Sequence, residues 1–219
     1  MKKVLFICTG NTCRSPLAEA IFEDKKTSSE FQAKSAGIYA MEGMPISENS
    51  KKALKNRGID SDHTAKVVDA SLLTWADVIL TMTENHKRSL IEQFPDKVDL
   101  IFSLKEFIHD DEETRQLIDE LKNHQAQLEL KRAKFITENQ DKIAEYNEAK
   151  EIDHQEDIEQ QLLDVLKPHH DAIEQIAAKL PSFDIADPYG ADIQTYEQTM
   201  YEIEEAIKKL FKKLENNRD

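Results

Sequence analysis

Only two cysteines occur in 219 residues, Cys8 and Cys13, together with one tryptophan and five glycines. A secreted disulfide scaffold carries more cysteines, more widely spread, so this pair points to a reducing compartment, and a cytoplasmic protein is expected. Long apolar runs are missing too: nothing approaches the ~20 residues that cross a bilayer. The N-terminal Met1-Lys2-Lys3-Val4-Leu5-Phe6-Ile7 starts like a secretion signal. Its apolar run ends at Cys8, short of the ~7–15 residues that such a core needs. Positive charge is in deficit. Lys and Arg number 29 against 43 Asp and Glu, for a net charge of -14. That balance argues against general nucleic-acid binding, whose affinity rests on clustered Lys and Arg.

Charge, glycine and proline are unevenly spread. Glu106 to Leu180 holds 20 acids and 9 bases, a net of -11, which leaves -3 for the rest of the chain. That stretch has no glycine, and no proline occurs from Asp96 to Lys167. The expected organisation is a near-neutral α/β body at 1–105 and 182–219, interrupted by an acidic, helix-favouring insertion at 106–181.

In the body, short apolar runs alternate with helical patterns, the signature of βαβ units and a parallel sheet. Strands are expected at Val4–Ile7, Phe31–Ile38, Ala76–Met82 and Asp99–Ser103. Helices are expected near Pro16–Lys26, Ser47–Arg57 (closed by Gly58) and Glu84–Phe94. Ile193–Leu214 is amphipathic, with Tyr196, Met200, Ile203, Ile207, Leu210 and Leu214 on one face. In the insertion, Leu117, Leu121 and Leu128, and then Ile158, Leu162, Leu166, Ile173, Ile176 and Leu180, recur at helical spacing. They predict an α-helical hairpin with a break at Asp153-His154 and a break or kink at Pro168.

The sharpest chemical signal is Cys8-Thr9-Gly10-Asn11-Thr12-Cys13-Arg14-Ser15, placed between a strand and a helix. Loop amides and a helix N-terminus can converge on an anion. Arg14 can grip two phosphate oxygens with its planar fork. The same field favours a thiolate at Cys8 and makes it a nucleophile. Gly10 and Asn11 are the residues expected to accept left-handed backbone angles, and Ser15 can donate its hydroxyl to the Cys8 sulfur. Phosphate-binding residues are therefore expected throughout Thr9, Gly10, Asn11, Thr12, Cys13, Arg14 and Ser15.

At these residues, extended by Pro16, the chain resembles the low-molecular-weight protein tyrosine phosphatase family. The resemblance continues at Ser35-Ala36-Gly37, Asp62-His63-Thr64-Ala65, and Leu80-Thr81-Met82-Thr83 with His86-Lys87. It resumes at Asp187-Pro188-Tyr189-Gly190, which is similar to the family's general-acid loop. It covers about residues 1–105 and 182–219; the acidic insertion has no counterpart in the ordinary family pattern. The resemblance implies a three-layer α/β fold on a central four-stranded parallel sheet. It also implies a two-step displacement through a phosphocysteine on Cys8, with Asp187 as acid and then base and Arg14 on the phosphoryl oxygens. No cofactor or metal is expected. By its residue type alone Asp187 could equally cap the helix that follows.

Substrate choice turns on Thr12. Tyrosine-specific members usually carry an aliphatic residue there, whereas a threonine resembles the bacterial protein arginine phosphatase branch. The expected substrate is phosphoarginine in proteins. Phosphotyrosine is the alternative, kept open by the hydroxyl of Tyr189, and arsenate reduction is a further use of the scaffold. Tyr39, Met41 and Met44 are expected in a loop walling the cleft. Cys13 is either a packing residue or, as family precedent implies, the disulfide partner of Cys8 under oxidant. His109, His124, His154, His169 and His170 cluster in or beside the insertion. Adjacent His169-His170 point apart on a helix, so solvated surface is expected rather than a metal site. The acidic hairpin is either a tolerated insertion or an arm for a basic partner protein. A phospho-ligand-binding protein acting through that hairpin is the non-enzymatic alternative.

Overall fold

The computed structural model describes residues 2–148 and 155–216. The chain forms two compact units: Met1–His109 with Phe183–Asp219, and Asp110–Ser182. In the first unit, in chain order, lie β1 (Lys2–Cys8), α1 (Arg14–Lys25), β2 (Phe31–Gly37), α2 (Glu48–Asn56), α3 (Ala70–Trp75), β3 (Val78–Thr81), α4 (Glu84–Gln93), a 3-10 turn at Pro95–Leu100, β4 (Ile101–Ser103) and α5 (Leu104–Ile108). The second unit holds α6 (Glu112–Glu138), α7 (Gln140–Glu148) and α8 (Gln155–Ala177), and α9 (Ile193–Asn216) returns to the first. The first unit extends through α5, beyond the boundary that composition predicted.

The sheet is four-stranded and parallel, ordered β2-β1-β3-β4. Parallel strands are covered on both faces, which is why Val4–Ile7 of β1 and Val78–Leu80 of β3 read as unbroken apolar runs. Alternate residues separate cleanly. Val4, Phe6, Val78 and Leu80 pack with α1, α2 and α9, while Leu5, Ile7 and Ile79 pack with Leu73 of α3 and Leu90 of α4. All six apolar residues predicted for the α9 face are buried, at about 1.5–3 kcal/mol for each large side chain. This sandwich puts the C-terminal ends of β1 and β3 at one edge, where α1, α4 and the 183–191 segment meet.

The sequence pattern missed α3, which is only six residues long and is started by Asp69, whose carboxylate accepts from Leu72 N at 2.8 Å. Residues 99–100, read as strand, belong to the 3-10 turn.

In the second unit α6 and α8 pack together, and Phe135, Leu166 and Ile176 are buried. Pro168 does not end α8, which runs on to Ala177. The carbonyl four residues earlier that loses its partner belongs to exposed Asp164, so water can satisfy it. The break expected at Asp153-His154 lies outside the described residues. His124 Nδ1 lies 3.0 Å from His169 Nδ1, so His169 faces α6 rather than only solvent. No described helix is long and apolar enough to cross a membrane.

Candidate functional site

β1 ends at Cys8 and α1 begins at Arg14, so the five intervening residues turn back over the end of the sheet. Their carbonyls are tied outward. Cys8 O accepts from Ile38 N (3.0 Å), Thr9 O from Tyr39 N (2.9 Å) and Thr12 O from Ser47 N (2.8 Å), and Asn11 O lies 3.0 Å from His63 Nε2. In a trans peptide the next N–H points opposite the carbonyl, so these bonds turn the N–H groups of Thr9, Gly10, Thr12 and Cys13 toward the inside of the loop.

Asn11 adopts the left-handed conformation (φ 54°), whereas Gly10 does not. The expectation that both residues would do so is corrected on that point: one left-handed residue suffices for the reversal. Glycine is instead indispensable at Gly37, on the neighbouring strand. A Cβ there would lie 2.6 Å from Thr9 O and 2.9 Å from Asn11 N.

Beneath the loop runs a buried polar network. Asn11 Nδ2 donates to Ser15 Oγ (2.9 Å) and Ser35 Oγ (2.8 Å), and Asn11 Oδ1 accepts from Lys66 N (2.8 Å). Ser35 Oγ donates to Glu19 Oε2 (2.5 Å), which lies 3.4 Å from His63 Nδ1. The ring closes through His63 Nε2 on Asn11 O. Because the Asn11 amide donates to Ser15 Oγ, the Ser15 proton is left for two acceptors, Cys8 Sγ at 2.9 Å and the more distant Ala36 O at 3.4 Å. Ser15 thus stands where the sequence reading placed it, and it is oriented by three residues whose roles that reading missed: Ser35, Glu19 and His63. Ser35 and His63 lie far from the loop in sequence, and Glu19, one turn along α1 from Ser15, carries no local mark of its pairing with them.

Arg14 is 4% exposed, and its Nη2 donates to Asp187 Oδ2 at 2.7 Å. Its Nη1 donates to Ile185 O at 3.3 Å. The Asp187 segment is fastened to the sheet edge by Ile185 N on Met82 O (2.8 Å) and by Asp184 Oδ1, which accepts from Glu84 N (2.8 Å). Asp187 is not a helix cap. Its Oδ1 accepts from Tyr189 N (3.1 Å) within the turn, and Asp192 caps α9 by accepting from Thr195 N (3.0 Å). The Asp187 side chain remains 50% exposed, open to an incoming group.

Cys8, Thr9, Gly10, Thr12, Cys13, Arg14, Asp187 and Tyr189 line one cavity of about 210 Å³. Asn11 and Ser15 lie behind it, and Tyr39, Met41 and Met44 do not line it. Tyr189 is 78% exposed at its rim. Cys13 Sγ lies 3.4 Å from the buried Tyr196 hydroxyl and 3.7 Å from Thr12 Oγ1. Burial, and then the contact with Cys13, push the Tyr196 phenol up to about 12. Both cysteines are free thiols.

A second histidine touches the loop. His86 is 9% exposed; its Nε2 lies 2.8 Å from Thr9 Oγ1 and its Nδ1 2.8 Å from Thr83 Oγ1. Burial, and then the nearby Arg14 charge, push its pKa down to about 4 despite Asp187 and Asp184. The imidazole is neutral at neutral pH. A base whose folded pKa lies below its unfolded value of about 6.5 binds fewer protons folded than unfolded. Stability therefore rises with pH between about 4 and 6.5 and is lost below, by up to about 3 kcal/mol from this group. Urea unfolding at pH 7 and pH 4.5 is expected to show a smaller loss for His86→Gln than for wild type; equal losses would place the titration elsewhere.

Comparison with known proteins places this geometry in context. The profile of the family described as low molecular weight phosphotyrosine protein phosphatase matches residues 3–155 and 110–219. A protein-arginine-phosphatase of Geobacillus stearothermophilus is 42% identical over 106 residues, 48% of this chain and 71% of that protein. The low molecular weight protein-tyrosine-phosphatase PtpB of Staphylococcus haemolyticus is 35% identical over 106 residues, 48% of this chain and 74% of that one. Among solved structures, the arginine phosphatase YwlE of Geobacillus stearothermophilus superimposes with a TM-score of 0.64 at 27% identity, covering 100% of this chain and 96% of its own. A low molecular weight protein tyrosine phosphatase from T. tengcongensis gives 0.62 at 31% identity, covering 97% and 99%.

Proposed function

We propose that this chain, which belongs to the low molecular weight phosphotyrosine protein phosphatase family, removes phosphate from arginine side chains of proteins through a phosphocysteine. The observation that carries the chemistry is the arrangement around one cavity: Cys8 Sγ under the Ser15 hydroxyl, and Arg14 paired with a half-exposed Asp187.

In the first step the Cys8 thiolate attacks phosphorus, and the P–N bond breaks as Asp187, in its protonated form, delivers its proton to the departing guanidine nitrogen. In the second, Asp187 takes a proton from water, whose oxygen attacks phosphorus. The S–P bond breaks, and phosphate and the thiolate are released. The incoming phosphoryl group takes over Arg14 from Asp187, which frees the carboxyl for proton transfer. The loop amides and Arg14 hold the phosphoryl oxygens through both steps, so electrostatic positioning supplies much of the rate.

The arginine assignment rests on Thr12 and on the likeness to a protein named for that substrate. Phosphotyrosine is the second reading, favoured by the exposed phenol of Tyr189 at the rim and by the likeness to a protein-tyrosine-phosphatase. Phosphate release from phosphoarginine and phosphotyrosine peptides compares them directly: a higher kcat/KM on phosphoarginine supports the first, the reverse order the second. Absence of turnover on both would leave a phospho-ligand-binding protein. The two free thiols support a cytoplasmic setting.

The two cysteines line one cavity, which supports a protective disulfide under oxidant. Peroxide converts the Cys8 thiolate to a sulfenic acid; Cys13 sulfur attacks it, water leaves, and the disulfide forms. Dithiothreitol then restores both thiols. Wild type is expected to regain most of its activity after peroxide followed by reductant, and Cys13→Ser to stay inactive. Equal recovery refutes the protective pair.

A further inference from the structure

Thr9 sits at the mouth of the loop, lines the cavity with Cys8 and Arg14, and has its hydroxyl 2.8 Å from His86 Nε2. The direction of that bond decides what Thr9 offers to a ligand. Thr83 Oγ1 accepts from His86 N at 3.2 Å and lies 2.8 Å from His86 Nδ1. With the ring proton on Nδ1, Thr83 Oγ1 receives two donors and its own proton has no acceptor among the described contacts, while Thr9 spends its proton on Nε2 and turns a lone pair to the cavity. With the ring proton on Nε2, every proton of the chain is used: Thr83 donates to Nδ1, Nε2 donates to Thr9 Oγ1, and the Thr9 proton is left for the cavity. An anion beside Arg14 favours the second arrangement, because a lone pair facing it is repelled and a proton attracted. Hydrogen bonds donated in series also strengthen the last donor.

We propose that the Thr9 hydroxyl is a hydrogen-bond donor to the bound phosphoryl group and that His86, anchored by Thr83, is the positioning residue that aims it. The inference rests on the phosphatase reading for its kinetic consequence, but its binding consequence stands on the cavity alone. The arrangement adds a neutral side-chain donor beside the backbone amides and the Arg14 guanidinium, on the β3–α4 side of the site. It also gives a role to the low basicity of His86: as a neutral ring it can accept from Thr83 while donating to Thr9, which an imidazolium cannot do.

The test uses the full chain and two readouts, turnover of a phosphorylated peptide and calorimetric binding of inorganic phosphate. Thr9→Val keeps the side-chain shape and removes the proton; it is expected to lower phosphate affinity and kcat/KM by about ten- to hundredfold, the range of one hydrogen bond to a charged group. Thr9→Ser restores both. His86→Leu matches Thr9→Val, His86→Gln recovers part because its amide can still donate to Thr9, and the double variant Thr9→Val, His86→Leu loses no more than either single change. Wild-type phosphate affinity and turnover in a folded Thr9→Val overturn the donor. Additive losses overturn the aiming role of His86. If Cys8→Ser is inactive while Thr9→Val is normal, the phosphatase reading stands and this inference fails. If no peptide is turned over yet Thr9→Val still weakens phosphate binding, the reverse holds.

Discussion

Cys8→Ser is expected to reduce release of phosphate from phosphoarginine and phosphotyrosine peptides by at least about 10^4-fold while leaving inorganic phosphate affinity within a few-fold of wild type. A serine hydroxyl is not ionised near neutral pH, so it attacks phosphorus slowly, and any phosphoserine it forms breaks down slowly because an alkoxide leaves far less readily than a thiolate. The outward-tied carbonyls, Arg14 and the Asn11 network are untouched by the exchange, so anion binding survives. A Cys8→Ser protein with residual turnover near that of wild type would rule out the covalent route. Asp187→Asn complements it. The amide oxygen can still accept from Arg14 Nη2, as the carboxylate does at 2.7 Å, but it cannot carry the proton to the leaving atom. A drop in kcat of about 10^2–10^4-fold is expected on peptides. The drop is smaller on p-nitrophenyl phosphate, whose leaving group departs without help. An equal drop on both substrates would assign Asp187 to positioning Arg14 rather than to proton transfer.

Thr12→Ile is expected to lower kcat/KM on phosphoarginine by about ten- to hundredfold and to raise it on phosphotyrosine, reversing the preference. Thr12 lines the cavity, and its Oγ1 is 3.7 Å from Cys13 Sγ, too distant for a strong bond. The hydroxyl is therefore available to a guanidinium N–H. Removing it leaves that donor buried without a partner, a cost of about 1–3 kcal/mol. The larger apolar side chain also fills part of a cavity of only about 210 Å³ and offers contact to a phenyl ring. A wild type that already prefers phosphotyrosine, with a ratio unmoved by Thr12→Ile, would retire the arginine assignment while leaving the catalytic loop as described.

Much of the site is legible in the chain because its chemistry is local. Cys8 to Ser15 are contiguous, and a strand before them with a helix after them dictates that their amides face one point. The sheet is legible for a similar reason: Val4–Ile7 and Val78–Leu80 are unbroken apolar runs, and two-sided burial requires them to be so. The amphipathic face of α9 follows from its period alone. Where a short element is defined by its caps rather than its pattern, as α3 is by Asp69, periodicity has too few residues to register. Pro168 shows the opposite case, for the break offered there as one of two outcomes does not occur. A strong local rule against proline in a helix yields where the freed carbonyl is exposed and α8 already packs on α6.

The sequence by itself determined a parallel α/β body, an acidic helical insertion and a thiol–arginine loop for phosphate, because each is written in neighbouring residues or in a simple period. Only the tertiary structure decided that Asp187, already marked by its resemblance to a general-acid loop, pairs with Arg14, that Asn11 rather than Gly10 makes the left-handed turn, and that Ser35, Glu19, His63 and His86 stand behind the loop. These are pairings between residues up to 173 positions apart. Their partners are chosen by where parallel strands end and helices begin, and no local spacing in the chain encodes that.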